Sequence, residues 1–527
     1  MTRRFAPTHH PVRATAAALL LGTAALSAFG SSGEPSAEQK RTTCADLNGK
    51  VFDDVKVTAT KRFDAAQGNP GFCQVLATRA PYLDLEVDLP DNWSGRLWQQ
   101  GGDGTDGLIR PAVTVDANTG AITQMNLALK TGLAIYASSN GGNRRNVPAQ
   151  AARTLWRSGT AEGRESMTDY NWRSLDTTRR LAKALALAYY GQAPRWTYLN
   201  GCSNGGRNAY IAAERWPTEY DGVVAGCETM DMAGHTAAGL SMISKLGTPA
   251  MPSAAQWQSV TTAAMNACDA LDGLKDGLVA NQSACTFDVV SLQCGQPGAS
   301  TDPPMCLSPA QVATVRAIRS DLKLANGATV YSGFNWTRLN PWDWTAFVPP
   351  TFAMLATGEA AWVDSPAKWA AFDLVTHYPA IQSGLAAAGA DHDKKKIAAF
   401  VASGRKILSW HNIGDERLSL NDHYRNHTEM ARLAQGLGLA EPSVNTRFFA
   451  APGGRHSEGS ELTGVNWFEA ITHWVEKGIA PQQLTLQITD AQTNAVRTLP
   501  VCQHPRYPKY DGRGDVNAAG SYRCAMP

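Results

Sequence analysis

The sequence has little surplus charge of either sign. Its 527 residues carry 48 Lys and Arg against 46 Asp and Glu. Losing Arg3, Arg4 and Arg13 with a leader leaves 45 against 46, so nothing electrostatic recruits nucleic acid as a partner. No CxxC pair and no His/Cys cluster has zinc spacing, which argues against a thiolate metal site. There is no internal repeat and no low-complexity tract, and only one long apolar run, at the N-terminus. Hydrophobic content of 43% and charged content of 18% are those of a globular chain, which excludes wholesale disorder. The length allows a large core and two structural units.

What is present begins with a leader. "MTRRFAPTHHPVR" is a basic n-region and "ATAAALLLGTAALSAFG" an apolar run, so residues 1–30 read as a signal peptide, with cleavage between Ala28 and Gly33. The run is short for a membrane anchor, and Arg3-Arg4 lacks the rest of a twin-arginine motif. No other segment reads as transmembrane. The expectation is a secreted, extracellular or periplasmic protein without a membrane partner. Ten cysteines fit an oxidising compartment, and their spacing suggests the local pairs Cys44–Cys73, Cys268–Cys285, Cys294–Cys306 and Cys502–Cys524.

From about residue 80, short apolar runs alternate with helical stretches. "LDLEVDLP", "GRLWQQ", "GLAIYASS", "RWTYLN" and "DGVVAG" read as strands. "SLDTTRRLAKALALAYYG" and "GRNAYIAAERWP" read as helices between them. The pattern returns after residue 404 in "RKILSWHN", "TRFFAAPGG", "WFEAITHWVEKG" and "LTLQITD". The expected class is α/β, with a mostly parallel sheet. The core spans residues 40–230 and 405–527. Residues 231–404 form an insertion, with Cys-linked loops, Pro-rich breaks and the aromatic run "FNWTRLNPWDWTAF", folding over one end of the sheet.

"WTYLNGCSNGGRNAYIAAERW" carries the chemistry. Gly201-Cys202-Ser203-Asn204-Gly205 fits G-x-S-x-G between a strand and a helix, the setting in which a strained turn lifts a serine above a sheet. The competing reading is a Gly-rich turn whose serine only caps the helix. A serine nucleophile needs a base oriented by an acid, and on this scaffold the chain order is Ser, Asp or Glu, His. "KILSWHNIGDERLS" supplies Asp415 and "TRFFAAPGGRHSEGS" supplies His456. His411 is a rival base, but it precedes the acid and reads as structural. For the oxyanion, one backbone N–H is expected from Asn204 and a second from Gly102 in "WQQGGDGTDG".

Together these residues resemble the tannase and feruloyl esterase family of secreted α/β-hydrolases, from about Cys44 to Cys524. The resemblance is densest in "QQGGDGTDG", "YYGQAPRWTYLNGCSNGGR", "EYDGVVAG", "CDALDGLKDGL", "HNIGD", "APGGRH" and "YDGRGDVNAAGSYRC". It implies an α/β-hydrolase core, Ser203, Asp415 and His456 as the triad, and the insertion as a lid forming the substrate pocket. It also implies structural calcium in "CDALDGLKDGL", held by the carboxylates of Asp269, Asp272 and Asp276 and the carbonyls of Leu274 and Leu278. The competing reading is a solvated acidic turn. No organic cofactor is expected.

One residue departs from the family. There the cysteine before the nucleophile bonds a cysteine directly after the catalytic histidine, whereas here Ser457 follows His456. Cys227, at the end of the neighbouring strand, is then the expected partner of Cys202. The competing reading is two buried free thiols. The activity implied is a serine carboxylesterase on hydroxycinnamoyl esters of plant polysaccharides. Galloyl esters, as in tannins or other polyphenols, and mono-(2-hydroxyethyl) terephthalate are alternatives. A catalytically silent carbohydrate- or phenolic-binding protein is the rival of another class, supported by Ser457 and by Asp103 in the oxyanion loop. Phe334, Trp336, Arg338, Trp342, Trp344 and Phe347 are candidates for the pocket wall.

Overall fold

Short strands rich in apolar residues alternate with amphipathic helices, and in a computed structural model these strands pair side by side. The structure describes residues 42–228, 230–302, 305–336, 348–456, 464–489, 493 and 495–527. Twelve strands form the main sheet: β1 Val51–Phe52, β2 Val55–Phe63, β3 Phe72–Arg79, β4 Leu83–Pro90, β5 Arg96–Gln100, β6 Ile135–Ser139, β7 Trp196–Cys202, β8 Gly222–Gly226, β9 Lys406–Asn412, β10 Thr446–Ala451, β11 Gln483–Thr489 and β12 Val496–Gln503. Their spatial order is β1-β2-β3-β4-β6-β5-β7-β8-β9-β10-β12-β11.

The sheet is less uniformly parallel than the sequence suggests. Its six central strands, β6 to β10 in space, run parallel, while both flanks are antiparallel. The burial pattern explains the difference. Strands β8 and β10 are buried at every residue, as parallel strands covered on both faces must be. Strand β2, "VKVTATKRF", exposes its lysines and arginine and can only sit on a flank. The hairpin strands before residue 80 escape the α/β pattern for that reason.

Helices cover both faces. Helix α1 (Ser174–Tyr190) ends at Gly191, whose φ of 76° supplies the left-handed stop. Helix α2 (Asn204–Arg215) leaves the end of β7. Helix α3 (Leu420–Gly436) follows β9, and α4 (Trp467–Lys477) packs its Ile471 and Trp474 against Trp98, Val224 and Leu408 on one sheet face. Between β8 and β9 the described chain is mainly helical, with one small hairpin, Leu322–Lys323 with Thr329–Tyr331. Its Phe352, Trp362 and Ile381 pack with Trp156 and Tyr170, which precede α1. The four local disulfides expected from spacing are all formed. Among the described residues no helix is long and apolar enough to cross a membrane.

Candidate active site

Strand β7 ends at Cys202 and α2 begins at Asn204, so Ser203 alone makes the turn. Its φ of 59° and ψ of −126° are strained for a side-chain-bearing residue. The strain is held from both sides. The Ser203 N–H donates to the Gly226 carbonyl of β8 at 3.0 Å. A Cβ at Gly201 would lie 2.4 Å from the carbonyl carbon of Gly205, so strand and helix approach as closely as they do only because both are glycine.

Asp415 and His456 come from the ends of β9 and β10. Imidazole Nε2 lies 2.9 Å from Ser203 Oγ, and Nδ1 lies 2.8 Å from Asp415 Oδ2. Asp415 is fully buried at its side chain, and its other oxygen accepts the N–H groups of Arg417 and Leu418 at 2.9 and 2.8 Å. Burial would raise its pKa, but the charge of His456 and hydrogen bonds from His411 and His456 outweigh it and hold the carboxyl well below the usual range. For His456, burial works downward, and the Asp415 charge and hydrogen bond reverse it, raising the imidazole to about 9. The chain leading into His456 is fixed by Glu416, whose Oε2 accepts the His456 N–H at 3.0 Å, and by Asn412, which donates to the Arg455 carbonyl at 3.2 Å.

Ser203 and His456 open onto a cavity of about 860 Å³, with Asp415 buried behind the imidazole. Its lining includes the Asp103–Asp106 turn after β5, and Met232, Val348, Pro349 and Phe352 from the segment between β8 and β9. A hydrogen-bonded Ser, His and Asp at the C-terminal ends of parallel strands can take a proton from the serine and return it to a leaving group.

The tannase and feruloyl esterase family profile matches residues 68–377 and 381–525. The chain belongs to that family. It is 28% identical over 553 residues to a mono(2-hydroxyethyl) terephthalate hydrolase of Piscinibacter sakaiensis, covering 88% of this chain and 86% of that protein. It is 28% identical over 476 residues to a probable feruloyl esterase of Arthroderma benhamiae, covering 84% and 82%. The crystal structure of feruloyl esterase B from Aspergillus oryzae superposes with a TM-score of 0.74 at 20% identity, covering 90% of this chain and 98% of that one. Tannin acyl hydrolase from Aspergillus niger gives 0.68 at 16%, covering 92% and 94%. This family member is an α/β-hydrolase and a carboxylic ester hydrolase, which sets aside the silent binding protein.

Two expectations for the serine turn fail. Gly102 does not offer its N–H to the cavity, because that group donates to Asn208 Oδ1 at 3.0 Å. The Asp103 N–H is likewise taken, by Asp106 Oδ1 at 2.9 Å. Asn204, by contrast, stands at the first position of α2, where its N–H has no partner within the helix. Nor are Cys202 and Cys227 bonded. Both are buried free thiols, in hydrogen-bond contact with each other. Cys202 is level with Gly226 in the register, and Cys227 lies one residue past its strand, in a left-handed turn at φ 41° with its N–H tied to the Trp410 carbonyl.

Asp106 was not legible in "GGDGTDG". It is buried, its Oδ1 accepts from Asn204 Nδ2 at 2.8 Å, and burial pushes its carboxyl up to about 7 against the hydrogen bond from Asn204. It therefore ties the turn after β5 to the first residue of α2. The signal for it was the small-residue spacing: a Cβ at Gly102 would meet its carboxylate at 2.1 Å.

The aromatic run contributes less than expected. Phe334 and Trp336 are absent from the cavity wall. They are buried with Trp257, Val315 and Tyr331, and the Arg319 guanidinium covers Trp336 at 4.2 Å. Arg338, Trp342, Trp344 and Phe347 lie outside the described residues, as does Ser457.

The acidic loop expected to hold calcium is closed by Cys268–Cys285. Burial and the neighbouring charges of Asp276 and Asp269 push Asp272 up to about 6, so the loop concentrates negative charge that a cation would relieve. Its oxygens are partly occupied: Asp269 accepts from the Asp276 and Gly277 amides, Asp272 from Leu274 and Ala280, and Asp276 pairs with Arg497. Among the described residues no three His, Cys, Asp or Glu side chains converge as a ready metal cage.

Proposed function

We propose that this esterase hydrolyses esters of hydroxycinnamic acids through an acyl-enzyme on Ser203. The observation that carries the reading is the unbroken line from Ser203 Oγ through His456 to Asp415 at 2.9 and 2.8 Å, opening on a large cavity with an apolar wall. His456 Nε2 takes the Oγ proton as Oγ attacks the ester carbonyl. The Asn204 N–H at the start of α2 stabilises the oxyanion, and with Gly102 and Asp103 committed elsewhere the second donor falls to the cavity-lining stretch Gly104–Thr105. His456 protonates the departing alcohol, then deprotonates the water that releases the acid. Phe352, Met232 and Pro349 supply the apolar face for a planar acyl group.

The deciding experiment is hydrolysis of methyl ferulate, methyl gallate, mono-(2-hydroxyethyl) terephthalate and p-nitrophenyl acetate by wild type and Ser203→Ala. The expected result is highest kcat/KM on methyl ferulate and a loss of about 10⁴-fold or more in the variant. Preference for the gallate or the terephthalate reassigns the acyl group, and equal rates in both proteins sink the mechanism.

The same reading includes secretion, supported by four disulfides, and a structural calcium ion. Asp269, Asp272 and Asp276, with the Leu274 and Leu278 carbonyls, would hold it, and the ion would add loop stability and no chemistry. Purified protein is expected to contain about one calcium per chain and to lose melting temperature with chelator. Metal content of zero with unchanged melting rejects the ion.

A further inference from the structure

Asp415 accepts a second imidazole. His411 Nε2 lies 3.2 Å from Asp415 Oδ2, the same oxygen that meets His456, and 3.1 Å from the Leu418 carbonyl. Both neighbours are acceptors, so Nε2 carries a proton. In the neutral ring Nδ1 is then a lone pair, and it faces His423 Nδ1 at 2.9 Å, which must be the donor. His423 Nε2 in turn accepts from Tyr210 Oη at 2.8 Å, Tyr210 from Ser409 Oγ at 2.8 Å, and Ser409 from His427 Nδ1 at 3.3 Å. Each hydrogen-bond direction follows from the one before it. His411, His423, Tyr210 and Ser409 are all at 0% exposure, so these links are shielded from bulk water.

The elements involved give the chain a purpose. Ser409 and His411 point to one side of β9, His423 and His427 are one turn apart on α3, and Tyr210 stands on α2, the helix that begins beside the nucleophile. Aligned hydrogen bonds in a dry interior polarise one another. The charged and titratable neighbours do not break the direction. Burial holds the His423 ring well below its ordinary pKa. Glu228, 3.7 Å from His423 Nε2, is pushed well above its ordinary range by burial. His504, whose charge interacts with His411, is lowered to about 4 by burial.

We infer that His411 is a positioning residue of the triad, and that the His427–Ser409–Tyr210–His423–His411 chain delivers one fixed N–H to Asp415, locking the carboxylate that orients His456. This rests on the proposed serine mechanism. It assigns His411 neither contact with substrate nor exchange of a proton.

Three measurements test it. In long-range ¹H–¹⁵N spectra of ¹⁵N-histidine-labelled protein, His411 is expected as the Nε2–H tautomer and His423 as Nδ1–H, assigned with His411→Gln and His423→Phe. A Nδ1–H tautomer at His411 overturns the proposal. His411→Leu is expected to lower kcat by about 30- to 100-fold with KM within about threefold, while His411→Gln, which keeps a donor near Nε2, stays within about fivefold of wild type. In His411→Leu the acidic limb of the rate profile moves to higher pH, because an Asp415 carboxylate relieved of one donor holds the His456 imidazolium more strongly. Wild-type kcat in His411→Leu, or equal loss in His411→Gln, also overturns it. Should His411→Leu fail to fold, Tyr210→Phe serves: it removes one hydroxyl and is expected to lower kcat about three- to tenfold and to change the His423 tautomer. An unchanged rate and tautomer in Tyr210→Phe reject the chain. Labelling of Ser203 by a fluorophosphonate probe separates the two readings. If the wild type neither labels nor turns over, the esterase mechanism fails, and the tautomers still report on the chain without turnover.

Discussion

Ser203 and His456 lie within hydrogen-bond distance, yet the turns that carry them are built differently. The serine turn is backbone against backbone: glycine packed on glycine, and an N–H tied into the next strand. The histidine turn is held by side chains, with Asp415 on the ring, Glu416 on the His456 amide and Asn412 on the Arg455 carbonyl. No disulfide joins the two turns among the described residues. The first kind of support tolerates no added atom. The second tolerates change but transmits charge.

The contrast can be broken from either side. Gly201→Val is expected to do the most damage, since its Cβ has no space beside Gly205. A cost beyond about 4 kcal/mol should leave no cooperative melting transition, and a normal one would show that the turn can yield. Changing pH titrates His456 on the histidine side and, near 7, Asp106 beside Asn204 on the serine side. His456 must be neutral to accept the serine proton, and Asp415 raises its pKa to about 9. Below that value kcat/KM should climb about tenfold per pH unit, and a plateau already reached at pH 6 would show that Asp415 does not stabilise the imidazolium. Glu416→Ala strands the buried His456 N–H at a cost of about 1–3 kcal/mol, with kcat expected to fall roughly tenfold and melting to shift by a few degrees. Unchanged kcat would mean the ring alone positions the base. Cys227→Ala should do least: activity within about twofold and a stability loss of about 1 kcal/mol. In wild type, two thiols should alkylate only after denaturation, and protein with no alkylatable thiol would restore the Cys202–Cys227 bridge.

These two modes of support also decide what the sequence could reveal. Ser203 was legible because its turn is local: G-x-S-x-G, the strand before and the helix after lie within one short stretch. The order of Asp415 and His456 was legible because each ends an apolar strand. The donors and acceptors around them were not, since Gly102–Asn208, Asn204–Asp106 and His456–Glu416 join positions 106, 98 and 40 residues apart. A glycine that looked free to serve an oxyanion was already bonded to a side chain on α2. Phe334 and Trp336 misled for a related reason: aromatic residues favour any dry site, and only packing tells a core from a pocket wall. Strand β2 stayed hidden because its outward lysines dilute the apolar signal.

The disulfides of the flanking strands carry a consequence of their own. Cys44 is clipped to Cys73 in β3, and Cys524 to Cys502 in β12, so each outermost stretch of the described chain is stapled to a sheet strand. A proteinase that nibbles loose ends meets a covalent knot at either side before it reaches a residue that matters. Trimming back to either bridge is expected to leave both stapled strands in place.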